Sequence, residues 1–319
     1  MNGKITQIKL HVGEVGTLSI DIPIIQIGNG NPHLVILCGV HGDETTSLVI
    51  SNLFLKELLQ KELSGTVSII TAANPFAQST KSRVSWADFY DLNRTGQGKI
   101  DGVLTERLAY KLIEFLSECS FVIDLHEFEM STPTMAIYIP SEKDEVDKQI
   151  LNAIAAFKPS TVWAMNLSTS DEAKYSGSLL SVLIRRGIPC FAIETSVLAS
   201  LTSEIIENAT NGLLEVSKYL GVIEGVPQKT IPSAYIRNVK YSDHAGIWIP
   251  KSSLMSEVKA GDVIGELVKL DLTNSVDICA LLDGTLIQLR ANALVDTGKN
   301  LFTIGVIDSK VIKKFSSVA

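Results

Sequence analysis

The sequence has few histidines, few cysteines and no long hydrophobic run. Five of its 319 residues are histidine and four are cysteine. The cysteines stand apart, with no CxxC pair, which favours buried free thiols and a reducing, cytoplasmic location. No apolar run approaches the ~18 residues that a membrane-spanning helix needs. We also expect no secretory signal, because the N-terminal residues lack an apolar segment. A metal site or general base that uses imidazole must therefore draw on very few residues.

The chain also lacks a basic surface pattern and nucleotide-binding motifs. Its formal net charge is −7, from 28 Lys and Arg against 35 Asp and Glu, which argues against a broad surface that binds phosphates. No Walker or dinucleotide glycine motif is present, so we expect no nucleic-acid partner. With 45% hydrophobic and 20% charged residues, the chain can bury a sizeable core, which excludes disorder as the dominant state.

The pattern of apolar residues divides the chain in two. Over residues 1–220, short apolar segments alternate with amphipathic ones, which predicts an α/β fold with a largely parallel sheet. The predicted strands are 33–38, 67–72, 120–125, 134–139, 160–165 and 189–194, and the predicted helices are 45–61, 104–118, 145–157, 178–186 and 203–220. After a segment with two Gly and two Pro, turn signals alternate with short strands and no helical period is present. We place the boundary near residue 228, which predicts domains at 1–227 and 228–319.

Polar side chains lie where several predicted strands end. They are His41 and Glu44 after the strand at 33–38, His126 after the strand at 120–125, Glu194 at the end of the strand at 189–194, and Arg83, Asp91, Asn93 and Arg94 in the loop after 67–72. In open α/β sheets, ligands bind beyond the carboxyl ends of the strands. We therefore expect these side chains to form one site.

His41, Glu44 and the distant His126 form a His₂Glu set. A spacing of three residues, where a loop enters a helix, can bring the imidazole of His41 and the carboxylate of Glu44 to one point. Three such ligands leave a zinc ion one open position for water, and Glu194 is then free to act as general base on that water. The His41–Glu44 pair alone, or His126 alone, more often has a structural role, whereas Glu194 at the end of a buried strand needs a partner. The joint arrangement favours a hydrolytic metal site.

Four segments carry a resemblance to a known family. They are Gly39-Val40-His41-Gly42-Asp43-Glu44, Asp91-Leu92-Asn93-Arg94, Asp124-Leu125-His126 and the later Glu194. With them, nearly the whole chain resembles the succinylglutamate desuccinylase/aspartoacylase family, which is related to the zinc carboxypeptidases. The resemblance implies a three-layer α/β/α zinc-carboxypeptidase-like catalytic domain with a mixed sheet. A small all-β, barrel-sandwich-like C-terminal domain would follow it.

The resemblance also implies an activity and a role for each residue. The activity is zinc-dependent hydrolysis of the amide bond of a small N-acyl amino acid, with one zinc ion per chain, and a homodimer is a family-level expectation. The implied roles are zinc binding for His41, Glu44 and His126, general base for Glu194, polarisation of the scissile carbonyl for Arg83, binding of the substrate carboxylate for Asn93 and Arg94, and orientation of His41 for Asp91. The candidates for a substrate-binding tyrosine in the C-terminal domain are Tyr235 and Tyr241.

Two other functions use the same residues. One is a metallocarboxypeptidase that acts on short peptides, and the other is a catalytically decayed binding protein on the same scaffold. A C-terminal domain placed over the cleft would exclude long peptides and so favour the deacylase. The chain departs from the family pattern at 95–98 and in the acidic Glu127 and Glu129, so the acyl group and the amino acid stay open.

Overall fold

Apolar segments rich in Val and Ile form the central strands of the molecule, and amphipathic segments form most of its helices. The computed structural model describes residues 4–196 and 203–318. The strands are β1 Thr6–Val15, β2 Leu18–Gly28, β3 His33–Leu37, β4 Thr66–Ile70, β5 Phe121–Phe128, β6 Met135–Tyr138, β7 Thr161–Ala164, β8 Cys190–Ser196, β9 Ser233–Tyr241, β10 Gly246–Pro250, β11 Glu257–Val258, β12 Val263–Val268, β13 Ser275–Cys279, β14 Gly284–Leu289, β15 Ala293–Val295 and β16 Asn300–Ile307. The helices are α1 Thr46–Leu58, α2 Pro75–Thr80, α3 Leu104–Ser117, α4 Asp144–Phe157, α5 Leu179–Arg186, α6 Ser203–Tyr219 and α7 Ser309–Val318. Single 3-10 turns lie at Leu92–Arg94 and Ala173–Tyr175.

One mixed sheet of 12 strands runs through the molecule in the order β1-β2-β4-β3-β5-β8-β6-β7-β9-β16-β14-β11. At its centre β4, β3, β5 and β8 lie parallel to one another, and β6 runs antiparallel to β8. These central strands are buried along almost their whole length. That burial explains why they are continuous apolar runs rather than alternating ones. The mixed α/β fold expected from the resemblance is confirmed.

Helices cover both faces of this sheet. In one layer α4 packs against α6 and α7, and α1 packs against α6, while in the other layer α3 packs against α5. The buried face of α3 shows the helical spacing directly, because Leu108, Leu112 and Leu116 are all fully buried. Among the described residues, no helix combines the length and the apolar composition needed to cross a membrane.

The six strands predicted between residues 33 and 194 are all present, with shifted ends. The two strands that carry predicted site residues are longer than expected, because β5 and β8 continue to Phe128 and Ser196. His126 and Glu194 therefore lie inside strands rather than after them, and they are direct partners across the β5–β8 pairing. The sheet itself thus places these two side chains next to each other.

The chain begins with a hairpin that the sequence pattern does not predict. β1 and β2 pair antiparallel, and β2 pairs with β4 at the edge of the large sheet. Much of β1 is exposed or half-buried, so its apolar residues do not form the continuous run that identifies the central strands. An edge strand of this kind is held by its pairing more than by its own pattern.

The expectation that no helix follows residue 228 is wrong, because α7 ends the described chain. Val311 and Phe315 are buried within it, and Ile312 and Val318 pack half-buried against the same core, so one face of the helix is apolar. Asp308 accepts hydrogen bonds from the backbone amides of Lys310 and Val311, at 3.0 and 3.1 Å, and the helix packs against α4. Tertiary packing of this face and the cap stabilise α7.

The strands after residue 232 form an antiparallel all-β region in two parts. β9, β16, β14 and β11 extend the large sheet, with β9 parallel to β7. β13, β12, β10 and β15 form a second sheet of four strands. A separate core forms around the buried residues Trp248, Leu286 and Phe302. The large sheet passes the expected boundary at residue 228 without interruption, and the division into two domains stays a prediction.

Candidate active site

Three buried side chains meet at the carboxyl ends of β3 and β5. His41 and Glu44 lie in the connection from β3 to α1, and His126 lies in β5. Nδ1 of His41 lies 2.6 Å from Oε1 of Glu44, and Nδ1 of His126 lies 2.8 Å from Oε2 of the same carboxylate. One ligand atom from each residue lies within 4.8 Å of the others. Two imidazole nitrogens and a carboxylate directed at one point could hold a metal ion, and we call these three residues the metal cluster.

Two glycines allow the connection after β3 to turn tightly. Gly39 has a φ of 70°, in the left-handed region that favours glycine. At Gly42 a Cβ would lie 2.0 Å from the carbonyl oxygen of Ala77 in α2, so only glycine fits there. The amide of Gly42 donates to the carbonyl of Ser82 at 2.8 Å. The connection is thereby fixed against the segment that follows α2, which sets the position of His41.

A carboxylate also faces the outer nitrogen of each imidazole. Nε2 of His41 lies 3.3 Å from Oδ1 of Asp91, and Nε2 of His126 lies 2.9 Å from Oδ2 of Asp124. Such pairs orient an imidazole and leave its other nitrogen for a metal. The resemblance implies that Asp91 orients His41, whereas it implies no role for Asp124. The position of Asp124, two residues before His126 on the same strand face, is the signal that could have identified it.

The surroundings of the metal cluster shift the pKa values of all three of its side chains. Burial alone would lower the pKa of His126, but Asp124 and Glu44 raise it well above its ordinary value. Burial would likewise lower the pKa of His41, but its contacts with Asp91 and Glu44 raise it above its ordinary value. In the opposite direction, the two imidazoles overcome the effect of burial and hold the pKa of Glu44 well below its usual range. The three carboxylates thus favour positive charge at the cluster, and a divalent cation held by the Nδ1 atoms would supply it.

Asp91 connects the metal cluster to the loop expected to bind substrate. It begins the 3-10 turn, where its Oδ1 accepts a hydrogen bond from the amide of Asn93 at 2.8 Å. Its Oδ2 accepts from Nε of Arg83 at 3.0 Å, and Nη1 of Arg83 lies 4.0 Å from Oε1 of Glu44. Burial would raise the pKa of Asp91, but its contacts with His41 and Arg83 lower it to about 2. Asp91 is therefore ionised and holds both His41 and Arg83.

Asn93 and Arg94 lie in the 3-10 turn and line the same cavity as the metal cluster. Oδ1 of Asn93 accepts a hydrogen bond from the amide of Leu179 at 3.1 Å, which leaves its NH₂ group to donate elsewhere. The guanidinium of Arg94 lies 4.7 Å from the centre of the Tyr175 ring, and its Nη1 donates to the carbonyl of Asn93 at 2.6 Å. Burial lowers the pKa of Arg94, yet a guanidinium stays charged. A half-buried cation with unused donors is thus present in the cavity.

Glu194 lies between the metal cluster and the rest of the cavity. It is buried beside His126. Burial raises the pKa of its carboxyl to about 8, with a further contribution from the charge of Glu44 that His126 opposes. Its Oε2 is buried without a hydrogen-bond partner among the described residues. An unpaired buried carboxyl oxygen is costly, and such a group often has a functional role.

One cavity of ≈ 670 Å³ joins these residues. Its wall includes every residue assigned a role from the sequence except Asp91, which lies directly behind His41. The cavity wall also includes residues of β6, of β7 and of the turn before α5, among them Tyr175, and the sequence pattern does not predict them. Neither tyrosine candidate of the C-terminal region lines this cavity, because Tyr235 is buried against Gly305 and Tyr241 lies in a neighbouring groove.

This chain is similar in sequence and in fold to proteins of one family. The sequence profile of the succinylglutamate desuccinylase/aspartoacylase catalytic domain matches residues 30–220. The N-alpha-acetyl-L-2,4-diaminobutyric acid deacetylase of Halomonas elongata is 25% identical over 310 residues, which cover 92% of this chain and 87% of that protein.

Two solved structures have the same fold. The product-bound ectoine utilization protein EutE (DoeB) from Ruegeria pomeroyi has a TM-score of 0.83 at 22% identity, covering 96% of both chains. A succinylglutamate desuccinylase from Silicibacter sp. TM1040 has a TM-score of 0.80 at 23% identity, covering 97% of this chain and 96% of that one. The matched profile spans well over half of the 319 residues and includes the metal cluster and Glu194. The chain therefore belongs to the succinylglutamate desuccinylase/aspartoacylase family.

Proposed function

We propose that this protein is a zinc-dependent hydrolase that cleaves the amide bond of a small N-acyl amino acid. The observation that carries the proposal is the single cavity of ≈ 670 Å³ that contains the metal cluster, Glu194 and the guanidinium of Arg94. A hydrolytic centre next to a half-buried cation suits an amide substrate that also has a carboxylate. The relative from Halomonas elongata is, by its name, a deacetylase of such a compound.

The donor set of the metal cluster fits zinc. Nδ1 of His41, the carboxylate of Glu44 and Nδ1 of His126 would hold the ion, and the absence of cysteine among them suits a catalytic rather than a structural site. The outer nitrogens of both imidazoles face carboxylates, as is typical of zinc-binding histidines. When bound, zinc would supply a Lewis acid that polarises the substrate carbonyl and lowers the pKa of a water molecule.

Glu194 would move the proton during hydrolysis. Its unpaired Oε2 would accept the proton that the attacking water loses. The same carboxyl would then give that proton to the amide nitrogen as the C–N bond breaks, so that the products are a carboxylate and a free amino acid. A carboxyl whose pKa is raised by burial suits a group that must first accept and then donate a proton near neutral pH.

Three polar side chains would orient the substrate around Glu194. Arg83 is held at Nε by Asp91, so its Nη1 group is directed towards the metal cluster, where it would stabilise negative charge on the carbonyl oxygen. Arg94 would bind the substrate carboxylate with its planar guanidinium, and the free NH₂ of Asn93 would donate to the same group.

The C-terminal region favours a small substrate over a long peptide. Oε1 of Glu129, just after β5, lies 3.0 Å from Nη2 of Arg290 and 3.0 Å from Nζ of Lys299. Arg290 follows β14 and Lys299 precedes β16, and Lys299 and Glu129 also line the cavity. The C-terminal region therefore forms part of the cavity wall, which supports a deacylase over the alternative metallocarboxypeptidase.

The test combines metal analysis with a substrate screen. We expect one zinc ion per chain and hydrolysis of an N-acetyl, N-succinyl or N-formyl amino acid that a chelator abolishes and added zinc restores. Hydrolysis of peptides alone would overturn the deacylase in favour of a carboxypeptidase. Zinc binding without hydrolysis of either substrate class would indicate a decayed binding protein, and full activity of the metal-free protein would contradict the zinc site.

A further inference from the structure

The cavity has an apolar side that takes no part in the chemistry proposed above. β6 and β7 follow β8 in the sheet, and Ile137 of β6 pairs with both Ala192 of β8 and Trp163 of β7. Ile139 and Met165 lie two positions after Ile137 and Trp163, directly beyond the ends of β6 and β7. Alternate residues of an extended segment share a face. With Leu180 of α5, these side chains line the cavity and are all buried. We call Ile137, Ile139, Trp163, Met165, Leu180 and Ala192 the apolar floor.

The apolar floor lies on the opposite side of Glu194 from the metal cluster. The order β3-β5-β8-β6-β7 places His126 on one neighbour of β8 and Ile137 on the other. Ala192 lies two residues before Glu194 and therefore shares its strand face. A substrate whose scissile amide lies at Glu194 thus extends from the metal cluster on one side to the apolar floor on the other.

Ring contacts link the apolar floor to the proposed carboxylate-binding group. The Tyr175 ring lies under the guanidinium of Arg94 at 4.7 Å and meets the Trp163 ring edge-on at 5.4 Å and 81°. Asn93 accepts the hydrogen bond from Leu179, the residue before Leu180 of the floor. The carboxylate-binding side and the apolar floor are therefore parts of one compartment, which would hold the amino acid that leaves.

Three charged groups beside this compartment have partners. Glu129 is neutralised by Lys299 and Arg290, and the ammonium of Lys174 lies 5.4 Å from the Tyr175 ring centre. The guanidinium of Arg237 lies 3.9 Å from the centre of the Trp163 ring and donates to Oε1 of Gln288. The described residues of β6 and β7 include no charged side chain. A charged substrate side chain on the apolar floor would therefore lose its hydration without a charged partner from these two strands, which is costly.

We propose that the leaving amino acid has an uncharged, apolar side chain of about the size of leucine or methionine, which lies on the apolar floor. This inference rests on the proposed function, because it assigns the side chain of the same substrate. The carboxylate of that amino acid binds Arg94, and its side chain contacts Ile137, Ile139 and Met165. Burial of the added methylene groups makes the larger apolar side chains better substrates than alanine.

A panel of N-acetyl amino acids tests the proposal on the zinc-loaded full chain. The panel contains the derivatives of leucine, methionine, alanine, aspartate and 2,4-diaminobutyric acid. We expect kcat/KM for the leucine or methionine derivative to exceed that for alanine by at least about tenfold, and both charged derivatives to be hydrolysed more slowly than alanine. A preference for the aspartate or the diaminobutyric acid derivative would overturn the inference.

Variants of the apolar floor localise the effect. Met165→Ala removes contact area from the floor, so we expect the ratio of kcat/KM for the leucine and alanine derivatives to fall about tenfold. Val162→Ala is the matched control, because Val162 is fully buried but faces the other side of β7; it should leave that ratio unchanged. Ile139→Val is a milder second variant that should lower the ratio in the same direction. An unchanged ratio in both floor variants contradicts the assignment.

Binding of the free amino acids separates a failure of this inference from a failure of the proposed hydrolysis. Calorimetry with zinc-loaded protein should show tighter binding of leucine and methionine than of aspartate or 2,4-diaminobutyric acid. That order without any turnover would refute the deacylase and leave the apolar floor supported. Turnover with preference for charged amino acids would do the reverse, and equal binding of all four would refute the apolar floor whatever the activity.

Discussion

The two sides of the cavity are built by different means. On the side of the metal cluster, each functional group is held by the charge of another, as when Asp91 holds both His41 and Arg83. On the apolar floor, the sheet itself holds the side chains in the registers of β6 and β7. Glu194 lies at the border between the two sides. Changes on the first side should therefore affect every substrate, whereas changes on the second should alter the ratio between substrates.

The largest expected effect comes from Glu194→Gln, at the border. The amide has the same shape but cannot accept the proton of the attacking water, so we expect kcat to fall by about 10²–10⁴-fold for every substrate. The ligands of the metal cluster are unchanged, so zinc content should stay at the wild-type value. Steady-state kinetics together with metal analysis measures both.

Glu118→Gln is the control for that variant. Glu118 is exposed at the end of α3, so the same chemical change there should leave kcat and zinc content as they are. Retained activity in Glu194→Gln, with a normal zinc content, would remove Glu194 from the mechanism.

A smaller effect is expected at Glu127, which supports the metal cluster from behind. Its carboxylate accepts a hydrogen bond from the amide of Thr46, and its own amide donates to Oε2 of Glu44 at 3.2 Å. Glu127→Ala leaves the Thr46 amide buried without that partner and loosens the connection that carries Glu44. We expect zinc affinity to fall by about 10–100-fold, measured by competition with a chelator.

The matched control is Glu129→Ala, two residues further along the chain. Glu129 contacts the C-terminal region rather than the metal cluster, so zinc affinity should stay within about twofold of the wild type. Equal losses in both variants would show that general loosening of this segment, and not support of Glu44, controls the metal.

The charged side of the cavity is the part that a sequence predicts best. His41, Glu44 and His126 are conspicuous because polar residues that end buried strands need partners, and Gly39 and Gly42 mark the tight turn beside them. The resemblance implies that Asp91 orients His41, and the two side chains are in contact. Such residues differ from their apolar surroundings, so their positions alone indicate a site.

The apolar floor could not be predicted in the same way. Ile137, Trp163 and Met165 have the composition of ordinary core residues, and only the order of strands in the sheet turns them towards a cavity. α7 differs, because Val311, Ile312, Phe315 and Val318 have helical spacing and pack on one side of the helix, so its pattern was there to be recognised. The large sheet also continues past residue 228, because β9 pairs with β7. The local composition around residue 228 does not indicate that pairing.

Arg94→Lys tests the group that is proposed to bind the carboxylate of the substrate. Lysine keeps the positive charge but lacks the planar pair of donors that binds a carboxylate through two hydrogen bonds. We expect KM to rise about tenfold with kcat within about threefold, because the carboxylate keeps its charge during the reaction and its contact with Arg94 is similar in the ground state and the transition state. An unchanged KM would place the substrate carboxylate elsewhere, and Lys174→Arg serves as the control in which a nearby cation changes type without loss of charge.

The smallest effect is expected at Tyr175, which touches both sides through its ring. Tyr175→Leu removes the ring under Arg94 and the edge contact with Trp163. A cation–π contact of this kind contributes about 0.5–1 kcal/mol, so KM should rise about two- to fivefold. Tyr175→Phe keeps the ring and should keep KM near the wild-type value. Because the ring orients Arg94 but is proposed to hold no proton, kcat should be unaffected in both variants, and a fall in kcat with Tyr175→Phe would instead assign the hydroxyl a part in the chemistry.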